Sequence, residues 1–413
     1  MVQKIELANG LRLVCEQIPH VRSVSIGIWV HTGSRFETES ENGISHFLEH
    51  MFFKGTKNRS ASEIAEAFDR IGGHVNAFTS KEYTCFYAKV LDEHASYAID
   101  ILSDMFFNSI FAEEEVKKEK NVVFEEIKMV DDTPDDIVHD YLSEASYGVH
   151  SLGYPILGTV DTLKTFDGDF LRDYMKRHYT AEHVVVSMAG NIDDQLIDTV
   201  KSTFSAVKPG KQGPKVEAPT FLAKRITKQK DTEQAHLCLG FNGLQIGHED
   251  IYPLVVLNNL LGGSMSSRLF QEIREKRGLA YSVFSFHSSY QDSGLLTIYG
   301  GTAPNQLNDL YDGIKQTLDS LVAGNVSEKE IENGKEQLKG NLMLSLESTN
   351  SRMSRNGKNE LLLKRHRSLD EMVEEINEVT HKDVNRLAEQ LFNRDFSLSL
   401  ISPTGELPDS LMK

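Results

Sequence analysis

The sequence predicts an α+β protein made of two tandem homologous α+β domains, each a mixed sheet packed with helices, joined by a linker. The chain has 413 residues, 39% of them apolar, which is enough for two cores at about 100–200 residues per domain. A stretch rich in Pro, Gly and Lys, AVKPGKQGPKVEAP, lies near the midpoint. The two halves repeat the same order of segments. We therefore predict a first domain over 1–205, a linker over 206–220 and a second domain over 221–413.

Each half alternates strand-like and helix-like segments in the same order. Alternating apolar residues predict the strands, and apolar residues at helical spacing predict the helices. In the first half the segments are SVSIGIWVHTGSR, GISHFLEHMFFKGT, HVNAFTSKEYTCFYAKVL and HVVVSMAGNI. In the second half they are AHLCLGFNGL, DIYPLVVLNNLLGGSMSSRLFQEIREKRG, AYSVFSFHSSYQDSGLLTIYG and FSLSLISPTG. Long, charged amphipathic stretches between them predict further helices that pack on each sheet.

The composition excludes several classes of protein. Sixty-one acidic residues against 44 basic ones give a net charge of −17, which argues against binding to nucleic acid. The three cysteines, Cys15, Cys85 and Cys238, are too few and too far apart for a disulfide framework. The sequence shows no signal-peptide pattern and no apolar run near the roughly 20 residues of a membrane span. We expect a cytoplasmic protein that does not enter a membrane.

Two histidines and a glutamate interrupt the apolar segment GISHFLEHMFFKGT. His46 and His50 are four residues apart, so a helix places them on one face with Glu49 beside them. Polar groups in such a segment are costly to bury unless they are paired or bind a metal. Two histidines at this spacing can hold one metal ion, and a catalytic zinc site needs a third protein ligand from elsewhere. The alternative is a half-exposed helix with paired histidines.

An acidic helix predicted over FAEEEVKKEKNVVFEEIKMV carries candidates for that third ligand. Glu119 and Glu126 are seven residues apart and lie two turns apart on one face. One of them can ligate a metal while the other orients a ligand. Spacing alone does not choose between them, and other glutamates nearby leave a solvated acidic face as the alternative.

Together, HFLEHMFFKGT and the two later glutamates resemble the pitrilysin/insulinase family of zinc peptidases, the inverzincins. The similarity is closest to half-length members, namely bacterial processing peptidases and the β-subunit of the mitochondrial processing peptidase. The resemblance implies one zinc ion per chain, held by His46, His50 and Glu126. It implies that Glu49 is the general base and that Glu119 is the carboxylate behind the ligands. A glutamate close to an activated water but not needed as a ligand suits that role.

The resemblance also implies substrate-binding residues in both halves. In the family, an exposed strand pairs with the substrate backbone, and the matching residues are Asn76, Ala77, Phe78 and Thr79. From the sequence alone, an ordinary strand with Asn76 in a turn is the favoured interpretation. In the segment REKRGLAY, Arg274 would anchor substrate carbonyls and Tyr281 would donate to the developing oxyanion. The alternative there is a charged helix end followed by a core tyrosine.

Asp136 and Asp140 follow the predicted zinc glutamate and lie one helical turn apart. In processing peptidases, acids at these places resemble a pocket for an arginine near the scissile bond. The alternative is a solvated acidic cluster. An acidic pocket agrees in sign with the net charge and suggests peptide substrates with basic residues.

We therefore expect a zinc metalloendopeptidase that hydrolyses short or unfolded peptides. Family members assemble four such domains into a closed chamber, of which this chain would form half. Because the chain has both the zinc motif and the Arg–Tyr pair, a homodimer fits better than a heterodimer. One alternative is a presequence-type processing peptidase with Arg-directed single cuts. Another is a noncatalytic core-type structural or peptide-binding subunit, which the presence of all four zinc-motif residues disfavours.

Overall fold

A computed structural model describes residues 2–210 and 216–412. Residues 211–215 of the predicted linker lie outside the described residues. The strands are β1 (Val2–Glu6), β2 (Arg12–Gln17), β3 (Ser23–Val30), β4 (His74–Thr79), β5 (Thr84–Leu91), β6 (Val184–Gly190), β7 (Arg225–Gln229), β8 (Ala235–Asn242), β9 (Ala280–Ser289), β10 (Gly294–Thr302) and β11 (Ser397–Ser402).

The α-helices are α1 (Ile44–Met51), α2 (Ala61–Asp69), α3 (Ala95–Asn108), α4 (Glu113–Asp132), α5 (Pro134–Tyr147), α6 (Val160–Lys164), α7 (Gly168–His178), α8 (Asp194–Phe204), α9 (Ile251–Leu261), α10 (Leu307–Val322), α11 (Glu328–Ser345), α12 (Thr349–Leu362), α13 (Leu369–Glu378), α14 (His381–Phe392) and α15 (Asp409–Met412). A π-helix spans Phe270–Lys276. Short 3-10 turns connect several of these elements.

The first sheet has the strand order β1-β2-β6-β3-β5-β4. Only β2 and β6 pair in parallel, and β4 is an edge strand. Strand β3 alternates between two cores: Ile26 and Ile28 pack into the large one, and Trp29 packs on the opposite face. Both faces are therefore covered, which explains why β3 is buried along almost its whole length.

The second sheet has the order β7-β11-β8-β10-β9, with β7 and β11 as its parallel pair. This is the order β2-β6-β3-β5-β4 of the first sheet, with the parallel pair in the same place. Alternation recurs as well: Leu237 and Leu239 face the larger core, whereas Cys238 faces the other side. The predicted tandem α+β fold is confirmed.

The chain divides into two compact units that are not continuous in sequence. The first unit comprises Met1–Lys128, Tyr154–Glu217 and Leu344–His366, and the second comprises Met129–Gly153, Ala218–Met343 and Arg367–Lys413. Each unit thus takes one segment from the other half of the chain. Helix α12 packs on β3 and β6 in the first unit, and α5 packs on β8 and β11 in the second. The predicted boundaries, 1–205 and 221–413, do not anticipate this exchange.

Within the residues that the structure describes, no helix combines the length and apolarity needed to cross a bilayer.

Candidate metal centre

Helix α1 carries the HxxEH residues, and a buried carboxylate fixes its beginning. Gly43 precedes the helix with φ of 95°, a conformation that favours glycine. Glu37 accepts hydrogen bonds from the backbone N–H of Gly43 (2.8 Å) and of Ser45 (2.9 Å). Both donors belong to the first turn, where N–H groups lack partners within the helix. Phe47 and Leu48 are fully buried below the helix, so the histidines lie on its other face.

The structure brings His46, His50 and Glu126 together. One carboxylate oxygen of Glu126, Oε2, lies 3.9 Å from His46 Nε2 and 3.6 Å from His50 Nε2. One ligand atom from each residue lies within 4.8 Å of the others. Among the described residues this is the only group of three or more His, Cys, Asp or Glu side chains that could hold a metal ion. Spacing alone did not choose between Glu119 and Glu126, and the geometry places Glu126, the ligand that the resemblance implies, beside the two histidines.

Glu119 contacts the far side of His50. Its Oε1 lies 2.8 Å from His50 Nδ1, and its Oε2 lies 2.6 Å from Lys54 Nζ. An ionised carboxylate only accepts hydrogen bonds, so Nδ1 carries a proton, and Nε2 is the ring nitrogen on the side of Glu126. Burial opposes ionisation of Glu119, but its hydrogen bonds to His50 and Lys54 outweigh burial and lower its pKa. Glu119 therefore orients the imidazole of His50, and its role behind a bound metal stays a prediction.

The residues present fit a zinc ion. Tetrahedral zinc with metal–nitrogen distances of about 2.0–2.1 Å separates its ligand atoms by roughly 3.4 Å, near the 3.6 and 3.9 Å that separate Glu126 Oε2 from the two Nε2 atoms. Glu126 Oε2 is buried and has no hydrogen-bond partner among the described residues, as a metal ligand would require. Burial, with a smaller contribution from His50, lowers the pKa of His46 to about 3, so this imidazole is neutral at pH 7. Neutral imidazole is the form that binds metal.

The carboxylates of the candidate metal centre also change the pKa of His50. Burial lowers the pKa of His50, but the hydrogen bond to Glu119 and the charges of Glu126, Glu119 and Glu49 outweigh it and raise the pKa. Three carboxylates thus surround two imidazoles. This excess of negative charge favours a bound cation at the position that the ligand atoms share.

Glu49 lies beside this group and is held by a strand. Its Oε2 accepts a hydrogen bond of 2.6 Å from Thr79 Oγ1 on the edge strand β4. Burial raises the pKa of Glu49 although this hydrogen bond opposes the shift. A carboxylate with a raised pKa accepts and releases a proton nearer to neutral pH, which suits a general base.

The predicted substrate-binding residues lie on β4, which pairs with β5 on one side only. Asn76 is exposed and lies within the strand rather than in a turn, and its side chain accepts a hydrogen bond from Ala77 N. Phe78 packs against Trp29, with ring centroids 5.7 Å apart. Among the described residues no strand pairs with the other edge of β4, and its pairing with a substrate peptide stays a prediction.

The second unit brings Arg274 and Tyr281 together. Arg274 lies in the π-helix, and its guanidinium stacks 4.4 Å from the ring centroid of Tyr281 and 4.8 Å from that of Phe270. Arg274 Nη1 also donates to the backbone oxygen of Tyr281, at 3.1 Å. Tyr281 is 78% exposed, so it is not a core tyrosine. Their roles toward a substrate stay predictions.

Asp136 and Asp140 lie on α5 of the second unit, one turn apart. Asp136 is exposed near the beginning of the helix, where its negative charge interacts favourably with the positive end of the helix dipole. Asp140 is half-buried. The arginine pocket stays a prediction.

The sequence did not reveal three contacts that position the candidate site. Lys54 forms an ion pair with Glu119, Thr79 donates a hydrogen bond to Glu49, and Glu37 accepts a hydrogen bond from the backbone at the beginning of α1. Lys54 follows His50 by four residues, so helical spacing offered a signal for it. Thr79 and Glu37 are joined to the centre only by tertiary packing, and no pattern in the sequence reveals that.

Two family models match the chain. The model described as "Insulinase (Peptidase family M16)" matches residues 12–160, and the one described as "Peptidase M16 inactive domain" matches residues 165–338. The first match contains all the residues of the metal centre. The second lies in the part of the chain that has no HxxEH motif.

Relatives and solved structures agree with these matches. The chain is 63% identical over 408 residues to "Uncharacterized zinc protease YmxG" of Bacillus subtilis, covering 99% of this chain and 100% of that protein. It is 43% identical over 411 residues to an uncharacterized zinc protease of Streptomyces coelicolor, covering 97% and 90%. Its fold matches the crystal structure of a protease from Helicobacter pylori with a TM-score of 0.91 at 24% identity, covering 98% of this chain and 99% of that one. The resemblance to half-length members is confirmed, and the chain belongs to the insulinase family of peptidases, family M16.

Proposed function

We propose that this chain is a zinc-dependent endopeptidase that hydrolyses short or unfolded peptides. The observation that carries the proposal is the convergence of His46 Nε2, His50 Nε2 and Glu126 Oε2, with Glu49 beside them and outside the ligand set. Zinc, when bound by these three residues, supplies Lewis acidity that polarises a peptide carbonyl and lowers the pKa of a water molecule.

The side chains divide the remaining work. Glu49 takes a proton from the attacking water and passes it to the leaving amine. Glu119 keeps the Nδ1 proton on His50, which leaves Nε2 as a ligand atom. β4 holds the substrate by backbone pairing, which reads main chain more than side chains and permits broad specificity. Arg274 and Tyr281, which contact each other, contribute donors to substrate carbonyl oxygens.

We further propose that two copies of the chain assemble as a homodimer that encloses its peptide substrates. The reason is that one chain supplies both the metal residues and the Arg274–Tyr281 pair. A noncatalytic partner is therefore not needed to complete the set. Sedimentation analysis of the purified chain tests this part separately from activity.

The test of activity is hydrolysis of a quenched fluorescent peptide that contains one arginine. Wild type loaded with zinc should cut it, and Glu49→Gln should bind zinc at one ion per chain and fail to cut. Mass spectrometry of the products locates the cut. Cleavage at a fixed position relative to arginine would favour the processing-peptidase alternative, for which Asp136 and Asp140 are the specific observation. Zinc at one ion per chain without any cleavage would instead favour a noncatalytic binding subunit.

A further inference from the structure

A second candidate site lies in the first unit and shares no residue with the metal centre. It is a cavity of about 930 Å³ between the C-terminal end of α3, the C-terminal half of α7 and residues 206–210. This volume is at the upper end of the range that holds small organic ligands. The proposed peptidase function makes no use of it.

The floor of the cavity is apolar and mostly aromatic. Phe106, Phe111 and Tyr179 form its buried part. Phe107 and Ile110 also line the cavity and are 37% and 41% exposed, so large apolar side chains here are in contact with solvent. The floor therefore offers apolar surface that a bound acyl chain would cover.

The backbone at this floor is strained. Phe111 has φ of 46°, in the left-handed region that a bulky residue rarely adopts. Such a conformation costs on the order of 1–3 kcal/mol and persists where the surroundings hold it, often at binding sites. Gly168 supports it, because a Cβ atom there would lie 2.6 Å from the Phe111 carbonyl oxygen.

The rim of the cavity is positively charged. Its described lining residues include five Lys or Arg and no Asp or Glu, although the whole chain has 61 acids and 44 bases. Arg172 and Arg177 are already paired with Asp169 and Glu41. The other three cations, Lys57, Lys176 and Lys208, have no carboxylate within ion-pair distance in the part of the chain that the structure describes. These three ammonium groups could therefore pair with a negatively charged ligand in the cavity.

The wall formed by residues 206–210 is fixed by hydrogen bonds. Lys208 O accepts from Ala181 N (3.0 Å), and Gly210 N donates to Glu182 Oε2 (2.7 Å). Asn9 Nδ2 donates to Val207 O (2.9 Å). The cavity is thus bounded by defined backbone contacts on this side.

We propose that this cavity binds a long-chain fatty-acid anion, with the acyl chain on the aromatic floor and the carboxylate among Lys57, Lys176 and Lys208. The apolar floor disfavours a small inorganic anion, since such an ion would leave the aromatic surface in contact with water. The unpaired lysines disfavour a neutral lipid, which would not compensate their charges. An amphipathic carboxylate satisfies both parts of the site.

Binding of oleate to the full chain, below its micelle concentration, tests the proposal. Calorimetry should give one saturable site per chain, and oleate should raise the melting temperature, because a ligand of the folded state stabilises it. Methyl oleate should bind at least tenfold more weakly, and acetate should not compete. The paired variant Lys176→Glu/Lys208→Glu should weaken oleate binding at least tenfold. Lys164→Glu, an exposed lysine on α6 outside the cavity, should bind like wild type.

Both lysines of the paired variant are exposed, so its fold should be retained, and circular dichroism checks this. The proposal is overturned if oleate does not saturate, if methyl oleate binds equally well, if acetate competes, or if the paired variant binds like wild type. None of these measurements depends on peptidase activity, so they stand apart from the proposed function.

Discussion

At the scale of single residues, Glu37 shows how a buried carboxylate can stabilise the beginning of α1, the helix that carries His46 and His50. Its carboxylate is buried and accepts from Gly43 N, Ser45 N and Asn42 Nδ2. Burial raises its pKa, and these hydrogen bonds oppose the shift. An amide in place of the carboxylate would direct a donor at one of these N–H groups.

Glu37→Gln should therefore destabilise the chain by about 1–3 kcal/mol, the cost of leaving a buried donor without an acceptor. It should also weaken zinc binding, because the first turn of α1 positions His46. Urea denaturation and zinc titration are the measurements. Glu39→Gln, an exposed residue two positions on, should stay within about 0.5 kcal/mol of wild type. Equal stability of the two variants would contradict the capping role.

Glu119 allows a second prediction at this scale. Glu119→Gln keeps the shape of the side chain but weakens its hold on the Nδ1 proton of His50 and on Lys54. Loss of such an outer partner typically costs about 10–100-fold in metal affinity. Competition with a chromophoric chelator measures this. Glu125→Gln on the exposed face of α4 is the matched control and should leave affinity unchanged. An unchanged affinity for Glu119→Gln would remove it from the metal centre.

Buried histidines give the chain a predicted pH dependence. Burial is the main cause that lowers the pKa of both His31 and His178 to about 4. Since the unfolded value is about 6.5, the unfolded chain binds more protons between these two values. Their contribution to stability is complete above pH 6.5 and is lost as the pH falls toward 4. Each adds a slope approaching about 1.4 kcal/mol per pH unit.

Urea denaturation followed between pH 7.5 and 5 should show this dependence of stability on pH. His178→Phe removes one titrating group and should lower the slope by up to about 1.4 kcal/mol per pH unit. Phe keeps the stacking on Tyr174, whose ring centroid lies 4.1 Å from that of His178. His20→Gln, at an exposed position, should leave the slope as in wild type. If the slope of His178→Phe equals that of wild type, His178 does not titrate as its burial implies.

At the scale of elements, the sequence pattern predicted most strands and the helix that carries His46 and His50, but the spacing of the glutamates did not show which carboxylate reaches the histidines; only the family resemblance named Glu126. The HxxEH spacing is local, so helix geometry alone places His46 and His50 on one face. Glu119 and Glu126 share a face of α4, and the choice between them depends on where α4 lies along α1. That position is set by tertiary packing, for example of Val116 and Val123 in the core. The contact between Thr79 and Glu49 also depends on tertiary packing, so the sequence did not predict it.

Helix α12 packs closely on the first sheet, and a substitution at Gly357 tests how tight this packing is. A Cβ atom at Gly357 would lie 2.3 Å from Trp29 Nε1, so the helix approaches the indole through a glycine. Gly357→Ala should lower the stability by about 1–3 kcal/mol through overpacking, although alanine has the better helix propensity. Thermal unfolding by circular dichroism measures it. Gly340→Ala on α11 meets nothing within 4 Å and should hold or raise the melting temperature. A higher melting temperature for Gly357→Ala would show that α12 packs more loosely.

At the scale of the whole molecule, the exchange of segments makes the first unit depend on the second half of the chain. Leu344–His366 belongs to the first unit, and its helix α12 supplies Met353 to the core around Trp29. Arg352 and Asn356 donate to the carboxylate of Glu16, and Glu360 pairs with Arg12. Without this segment, an apolar face of the sheet and two charged side chains of β2 would lose their partners. The exchange could not be predicted from a linear repeat, because both halves contain similar helices at similar positions.

A fragment of residues 1–217 should therefore fail to reach the stability that the first unit has in the whole chain. Trp29, the only tryptophan, is 1% exposed, so its emission reports whether this face is covered. The fragment should show red-shifted emission and a lower melting temperature, because uncovered apolar surface and unpaired buried charges both destabilise it. A peptide of residues 344–366 added in trans should reverse the emission shift, and the same peptide with Gly357→Ala should do so less well. Blue-shifted emission and an undiminished melting temperature for the fragment alone would mean that the first 217 residues form a complete domain.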